Sequence, residues 1–335
     1  MSLGMVGCGD IAGYTAFFAR LNRGIKIATC CDISKQRAEA FARRHGIKGV
    51  FTDYAAMLSQ ASLDAVYLAV PHNLHFEMIK RALESGRHVL VEKPVTRTLA
   101  EGVEIVRAAQ KSGLRLAVNY QYRYDTGIYR LARAAQGGQL GEIRYARINV
   151  PWHRERIYFE GSPWHKTVAQ AGGGTLITQG SHFLDAVLWA CQGHPPVSVA
   201  GMTAQRVFKD VEVEDLAVGV IELESGALID VCSSMAAAKE KAVTVQVYGS
   251  QASAVYTDRP LPRVRFTGAR VKAPNVPVFG FHALQLSIEG FRRWVAGGQP
   301  HLAAYGESLP VLAAVEAFYR SAQTGKREKI DNPIE

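Results

Sequence analysis

Along the first third of the chain, short apolar runs alternate with longer stretches in which apolar residues recur every three or four positions. The runs at 3–7 (LGMVG), 25–32 (IKIATCCD), 63–70 (LDAVYLAV), 88–92 (HVLVE) and 114–120 (LRLAVNY) read as strands. The stretches at 10–22, 34–46, 75–86 and 99–113 read as amphipathic helices, the second with Ser34 as its N-cap and the third closed by Gly86. A strand that stays apolar along its whole length is buried on both faces, and strands that alternate with helices are joined by crossovers. The pattern therefore predicts a doubly wound parallel sheet with helices on both faces, an α/β domain over residues 1–120.

Beyond that point the period changes. A helix around 128–136 is followed by 141–150, which alternates like a half-buried strand, then by a loop rich in Trp, His, Arg and Tyr, and then by a glycine-led helix at 174–190. Strand-like segments at 197–208, 214–223, 227–236, 242–249 and 253–258 follow at short intervals. Closely spaced strands joined by turns predict a mostly antiparallel sheet, so residues 121–335 read as an α+β domain. Two helices, 284–298 and 308–326, close the chain, and the last one (about 307–323) is expected to pack back on the first domain. There is no internal repeat.

Composition narrows the class. With 335 residues and 48% hydrophobic content, the chain can bury the cores of two domains. No uncharged apolar run reaches the ~18 residues of a membrane span, and the first strand starts too early to leave room for a signal peptide. The five cysteines include no CxxC pair, which suits reduced core residues of a cytoplasmic protein. The net charge of +9 is spread over helices without a basic run interleaved with aromatics. That pattern argues against nucleic acid and suits an anionic cofactor or substrate. No HExxH or short Cys/His cluster implies a metal, and no GxSxG elbow implies a serine hydrolase.

The candidate chemistry gathers at the ends of the early strands. Gly7-Cys8-Gly9-Asp10-Ile11-Ala12 fits G-x-G-x-x-A between a strand and a helix. Gly7 would allow the tight turn, Gly9 would let backbone approach a pyrophosphate, and Asp10 and Ile11 would open the helix whose N-terminus holds it. A glycine turn of this kind also occurs in α/β proteins that bind no nucleotide. Asp32 ends the second strand, where a carboxylate would hold a ribose 2′-hydroxyl and repel a 2′-phosphate, favouring NAD over NADP. It is equally a helix N-terminal acid beside Ser34. Arg37, with Lys35, softens the preference. After the third run, Pro71 would wall the carboxyl edge, with Asn73 and His75 offering polar groups there. The plainer reading makes Asn73 a helix cap and His75 a partly exposed helical residue. Glu92-Lys93-Pro94 sets a titratable amine at the end of a buried strand, and ligands of open α/β sheets bind at such ends.

GCGDIA, LDAVYLAVPHNLHFEMIKRALESGRHVLVEKPV, AGGGTLITQGSHFLD and SLPVLAAVEAFYRSAQTGK occur in that order, and with them the chain resembles the Gfo/Idh/MocA oxidoreductases over nearly its whole length. The resemblance implies a Rossmann domain joined to an α+β domain with a large open sheet that makes oligomer contacts, hence a homodimer or homotetramer. It implies NAD, or less readily NADP, and transfer of a hydride from a hydroxyl carbon of a sugar, cyclitol or related polyol. Lys93 matches the lysine that binds the substrate hydroxyl and takes its proton, Glu92 would line the nicotinamide, and Pro94 would aim Lys93. An ordinary lysine is protonated at neutral pH, so this role needs desolvation and a nearby cation to lower its pKa.

His182 matches the family's catalytic histidine, on a helix begun by Gly172-Gly173-Gly174, whose glycines would let the chain approach the cofactor. Thr178, four residues earlier and so on the same face, stands where many relatives carry an aspartate. Threonine cannot stabilise an imidazolium by charge, which leaves the proton to Lys93 and His182. Gln179 resembles a subgroup that includes nucleotide-sugar dehydrogenases; there Trp164 would pack on cofactor or substrate, or simply plug a core, while His165 replaces the subgroup's usual arginine and Lys166 follows it. Gln121 is a cofactor candidate, and Arg123, His153, Lys166, Thr178 and Gln179 are substrate candidates. Arg154, Arg156 and Tyr158 lie in the same loop, where solvated charge explains them almost as well. Asp185 follows His182 by one turn. Within the superfamily, an NAD-dependent glycosidase and a non-catalytic dinucleotide-binding sugar sensor are the alternatives.

Overall fold

The computed structural model describes residues 1–332, which form two compact units. In the first, β1 (Ser2–Val6), α1 (Asp10–Ala19), β2 (Lys26–Cys31), α2 (Lys35–His45), β3 (Gly49–Phe51), α3 (Tyr54–Gln60), β4 (Ala65–Leu68), α4 (His75–Glu84), β5 (His88–Val91), α5 (Leu99–Ser112) and β6 (Leu116–Val118) follow one another. The strand order is β3-β2-β1-β4-β5-β6, and every pairing is parallel. Order reverses between β1 and β4, so right-handed crossovers put the helices before and after that switch on opposite faces. The local signals agree: Ser34 caps α2 through the Arg37 N–H, Thr98 and Glu101 form a capping box on α5, and Gly46 and Gly113 end their helices in the left-handed region. The pattern reading passed over β3 and α3, because three strand residues are too few to show a period.

In the second unit, α6 (Thr126–Gln136), β7 (Ile143–Pro151), the single turns α7 (Ile157–Glu160) and α8 (Val168–Ala171), α9 (Ser181–Ala190), β8 (Pro196–Ala204), β9 (Leu216–Leu223), β10 (Leu228–Ser234), β11 (Thr244–Gly249), β12 (Ala252–Thr257) and β13 (Arg263–Gly268) lead to an eight-stranded sheet. After α10 (Ala283–Val295) come α11 (Leu309–Thr324) and β14 (Glu328–Lys329), giving the order β13-β12-β11-β7-β10-β9-β8-β14. All neighbours are antiparallel except β7 and β10. Helices α6, α9 and α11 cover one face. The other face leaves Met202, Val218, Val220 and Leu228 exposed.

Two features differ from the pattern reading. The first unit does not end at residue 120: it comprises Met1–Tyr124 and Val278–Ser308. Ile288, Phe291 and Trp294 of α10 complete the apolar cluster formed by Leu3 and Met5 of β1 and Ala12, Ala16 and Ala19 of α1. And the last helix, α11, belongs to the second unit, where the Phe318 ring lies against Gly201 of β8 and Gly219 of β9 and leaves no room for a Cβ at either. Both α10 and α11 are amphipathic, and periodicity alone does not say which sheet an amphipathic helix covers.

Candidate active site

At the end of β1, Gly7 takes φ +82° with its N–H on the Cys31 carbonyl (2.9 Å), and a Cβ there would lie 2.1 Å from the Ala69 carbonyl oxygen. Glycine is obligatory at that turn. Gly9 is different: its φ is an ordinary −83°, and a Cβ would meet nothing within 4 Å. That open side of Gly9 adjoins the first turn of α1, where the exposed Asp10 and Ile11 carry N–H groups that have no acceptor within the helix. Room for a close approach, combined with a helix N-terminus, suits a pyrophosphate, so the residues present fit a dinucleotide. Asp32 braces this loop. Its Oδ2 accepts the Cys8 N–H (3.0 Å), while Oδ1 accepts the Ser34 N–H (2.8 Å) and the half-exposed Arg37 guanidinium (3.2 Å from Nε). The carboxylate thus serves the start of α2 and the glycine loop together.

Pro71 begins the loop after β4, and Asn73 is exposed on it; α4 has no side-chain cap. His75 is neither partly exposed nor at the edge. It is fully buried, with Nδ1 2.7 Å from the Pro94 carbonyl and Nε2 3.0 Å from the Val70 carbonyl. It ties the loop after β4 to the Glu92-Lys93-Pro94 turn, and its ring nitrogens are occupied by backbone rather than offered to a ligand. Burial lowers its pKa to about 4, against the pull of those carbonyls.

The turn itself joins a buried acid to an enclosed amine. Glu92 Oε1 accepts from the Tyr67 hydroxyl and from Asn119 Nδ2 (2.7 Å). Burial pushes the Glu92 carboxyl up against the opposing pull of those donors and of Lys93. Burial lowers the Lys93 amine to about 8, with Glu92 pulling the other way. An amine in that range exchanges its proton near neutral pH, as a general acid–base group must. Gln121, three residues past β6, sits on a 3₁₀ turn; its buried Oε1 meets no hydrogen-bond partner among the described residues. Arg123 on the same turn is only 1% exposed and is committed within its own unit: it donates to the Leu302 (2.5 Å) and Glu307 (3.0 Å) carbonyls and pairs with the Glu307 carboxylate (3.8 Å). It is a structural clasp rather than a cation held out to a substrate.

In the second unit the glycines serve the helix start. Gly173 has φ +153° under the Tyr319 hydroxyl, and a Cβ on Gly174 would lie 1.9 Å from the Glu214 carbonyl oxygen. Close approach is needed, but to the chain's own β9 end. The buried Glu214 carboxylate then accepts the Gly174 N–H (2.6 Å), the Leu176 N–H (2.9 Å) and the Tyr319 hydroxyl (3.0 Å). It supplies the acceptor that a helix N-terminus lacks. Its neighbour Asp215 takes the N–H groups of Arg206, Val207 and Phe208. The pattern reading missed both acids; an acidic pair at the head of an apolar strand was the available signal.

Helix α9 is entered through a π turn, Leu176–Gly180, and every residue from 175 to 190 is buried. Such turns break the regular ladder and recur at functional sites. Thr178 Oγ1 donates to the Gly174 carbonyl (2.6 Å), so its only proton is spent on backbone and the hydroxyl can otherwise only accept. Gln179 is 2% exposed, and its amide lies beside the Tyr158 hydroxyl. His182 lies in the first turn of α9 and Asp185 one turn on, both buried. Trp164 stacks on His165 (3.7 Å), which stacks on Tyr158 (4.4 Å). The Tyr158 hydroxyl reaches Thr178, and burial raises its pKa. His153 is anchored by Nδ1 to the Ala237 carbonyl (2.7 Å). Lys166 lines a small hollow with Arg156, Phe208 and Asp210, and Arg156 is paired with Asp210. Among the described residues no group of three His, Cys, Asp or Glu side chains is disposed to hold a metal, and no helix is long and apolar enough to cross a membrane.

Residues 1–120 match the oxidoreductase family with an NAD-binding Rossmann fold, and residues 128–255 match the Gfo/Idh/MocA C-terminal domain. The chain is 26% identical over 337 residues to 1,5-anhydro-D-fructose reductase of Ensifer adhaerens, covering 99% of both. It is 27% identical over 354 residues to D-glucoside 3-dehydrogenase of Escherichia coli K12, covering 98% of this chain and 97% of the relative. Among solved structures, the WlbA dehydrogenase of Bordetella pertussis, in complex with NADH and UDP-GlcNAcA, has a TM-score of 0.90 at 25% identity, covering 99% of this chain and 98% of that one. A glycine cradle at the β1 end, an enclosed lysine at the β5 end and a mostly antiparallel second sheet agree with these matches along the chain, which belongs to the Gfo/Idh/MocA family of NAD-binding oxidoreductases.

Proposed function

We propose that this chain oxidises a hydroxyl carbon of a sugar, cyclitol or nucleotide-sugar with NAD, and that Lys93 and His182 handle the proton. The observation that carries the reading is Lys93: an amine enclosed at the carboxyl end of β5, its pKa lowered to about 8, in a sheet whose β1 end carries the dinucleotide cradle. Bound nicotinamide supplies the hydride acceptor. The alcohol gives up its C–H as hydride and its O–H proton to the neutral Lys93 amine, leaving a carbonyl; His182 holds the same oxygen and shares the proton. Thr178, its hydroxyl proton spent on Gly174, supports His182 only as an acceptor. The named activities of the relatives, on anhydrofructose and glucosides, support a carbohydrate substrate. A homodimer or homotetramer built on the open sheet face is part of the proposal.

The test is a screen of free sugars, cyclitols, sugar acids and nucleotide-sugars for reduction of added NAD, followed at the absorbance of NADH. At least one class should give substrate-dependent NADH with stoichiometric carbonyl product. Tight NAD binding with no net reduction by any class would overturn the dehydrogenase reading.

Cofactor choice has its own test. Replacing Asp32 with alanine removes the carboxylate that repels a 2′-phosphate and frees Arg37 from its ion pair to meet one. The ratio of kcat/KM for NADP to that for NAD is expected to rise about 10²-fold, since like-charge juxtaposition costs a few kcal/mol. An unchanged ratio would remove Asp32 from the ribose site.

A further inference from the structure

Behind Glu92 runs a buried polar chain that belongs entirely to the first unit and that nothing in the hydride-transfer reading uses. Its far end is His301, on the segment 278–308 that returns to this unit between the two parts of the second. That segment is pinned alongside β6: Ala304 bridges Ala117, and the Val118 N–H donates to the Ala303 carbonyl (3.1 Å). His301 Nδ1 accepts the Ala303 N–H (3.1 Å), so the other nitrogen carries the ring proton. Burial, with the Arg123 cation alongside, lowers the His301 pKa to about 3, and the ring is neutral. Its Nε2–H therefore donates to Ser287 Oγ (3.2 Å), on α10. Ser287 donates its only proton to Asn119 Oδ1 (2.7 Å), which turns the amide so that Nδ2 donates to Glu92 Oε1 (2.7 Å). Each donor direction follows from the one before it, starting from a backbone N–H that cannot reverse.

On the other side of Glu92 the order is free. Tyr67 lies against Oε1, and Thr15 Oγ1 is 3.0 Å from the Tyr67 oxygen with either atom able to donate. Two hydroxyls can turn together to follow the protonation of the carboxyl; the Asn119 side cannot. The arrangement is one fixed donor and one adjustable pair converging on a single oxygen.

We propose that Ser287 and Asn119 are positioning residues: they carry a one-way hydrogen bond from His301 to Glu92, hold its carboxyl in the charged form, and so maintain the negative neighbour of Lys93. The proposal rests on Lys93 as the proton-handling group, but its effect is read without substrate. The titratable and charged groups around the turn are Tyr67 from β4, His75 from α4 and Lys93 itself, with Arg123 and His301 at the far end. A donor on Oε1 favours the carboxylate, so losing it favours neutral Glu92 and takes away the charge that holds the Lys93 proton.

The experiment is a ¹³Cε-lysine NMR titration of the cofactor-free full chain, with the Lys93 resonance assigned by its loss in Lys93→Met. Relative to wild type, the apparent pKa of Lys93 should fall by about half a unit in Ser287→Ala, by more in Asn119→Ala, and by the most, about one unit, in Glu92→Gln. Adding Ser287→Ala to Glu92→Gln should produce no further fall, because the two act through one carboxyl. If Ser287→Ala does not fold, Ser287→Cys keeps the volume, gives up the strong donor and should show the same fall. An unchanged Lys93 titration in the serine and asparagine variants overturns the relay, as does a Ser287 effect that persists on the Glu92→Gln background. With a substrate in hand, the alkaline-side rise of kcat should move with the NMR value. A relay confirmed by NMR beside a failed substrate screen would overturn the dehydrogenase reading alone.

Discussion

Replacing Lys93 with methionine is expected to leave NAD binding within a few-fold of wild type while kcat falls about 10³-fold, the contribution of a well-placed general acid–base group. Methionine keeps the length and apolar stem of the side chain and removes only the titrating nitrogen. The dinucleotide cradle proposed at Gly7, Gly9 and Asp32 does not use that nitrogen, so binding and turnover should separate. The pH dependence has a definite sign. In the oxidation direction the neutral amine accepts the proton, so kcat/KM should rise with pH through about 8, where the Lys93 amine titrates, and level off above it. In the methionine variant that limb should vanish. The measurements are NAD affinity by fluorescence quenching and initial rates from pH 6 to 10. A variant with wild-type kcat, or an unaltered pH limb, would take Lys93 out of the chemistry.

The second large effect is on structure. Glu214→Ala removes the one carboxylate that meets the Gly174 N–H, the Leu176 N–H and the Tyr319 hydroxyl, all in the interior of the second unit. A buried polar group left without a partner costs about 1–3 kcal/mol. With three stranded, some re-satisfied by entering water, a loss of about 3–5 kcal/mol is expected. Because the same helix start carries His182 in its next turns, activity should fall with stability. Glu214→Gln, which keeps the volume and an acceptor oxygen, should lose clearly less. Urea unfolding of the purified variants decides it: an alanine variant within about 1 kcal/mol of wild type would mean that Glu214 does not support the helix.

Much of the first unit was legible because doubly wound domains announce themselves. Buried parallel strands are apolar throughout, their helices have clean caps, and the glycine turn with Asp32 follows from the physics of a helix N-terminus. The place of Lys93 just past the end of a buried strand was legible from the apolar run before it. What was not legible depends on long-range packing. Arg123 looked like a ligand-facing cation, since its partners, the Leu302 and Glu307 carbonyls, lie some 180 residues away in sequence. His75 looked like edge polarity, because nothing local says that Pro94 and Val70 will turn their carbonyls toward it. The triple glycine looked ready for a ligand because sequence does not reveal that Glu214 and Tyr319 already occupy the space beside it. Thr178 was legible as a departure from an acid, but not as a hydroxyl already spent on its own helix.

The return of residues 278–308 to the first unit has a consequence for how the chain is made. A ribosome releases β1 to β6 early, yet Ile288, Phe291 and Trp294, which close the apolar cluster over β1 and α1, emerge only after the whole eight-stranded sheet except its last edge has been translated. Throughout that interval the nascent N-terminal unit displays an uncovered greasy face, and such surfaces invite aggregation or chaperones. The second unit waits longer still, because its own closing helix, α11, is translated after residues 278–308. The N-terminal unit, first in sequence, cannot finish folding until residues 278–308 have been made.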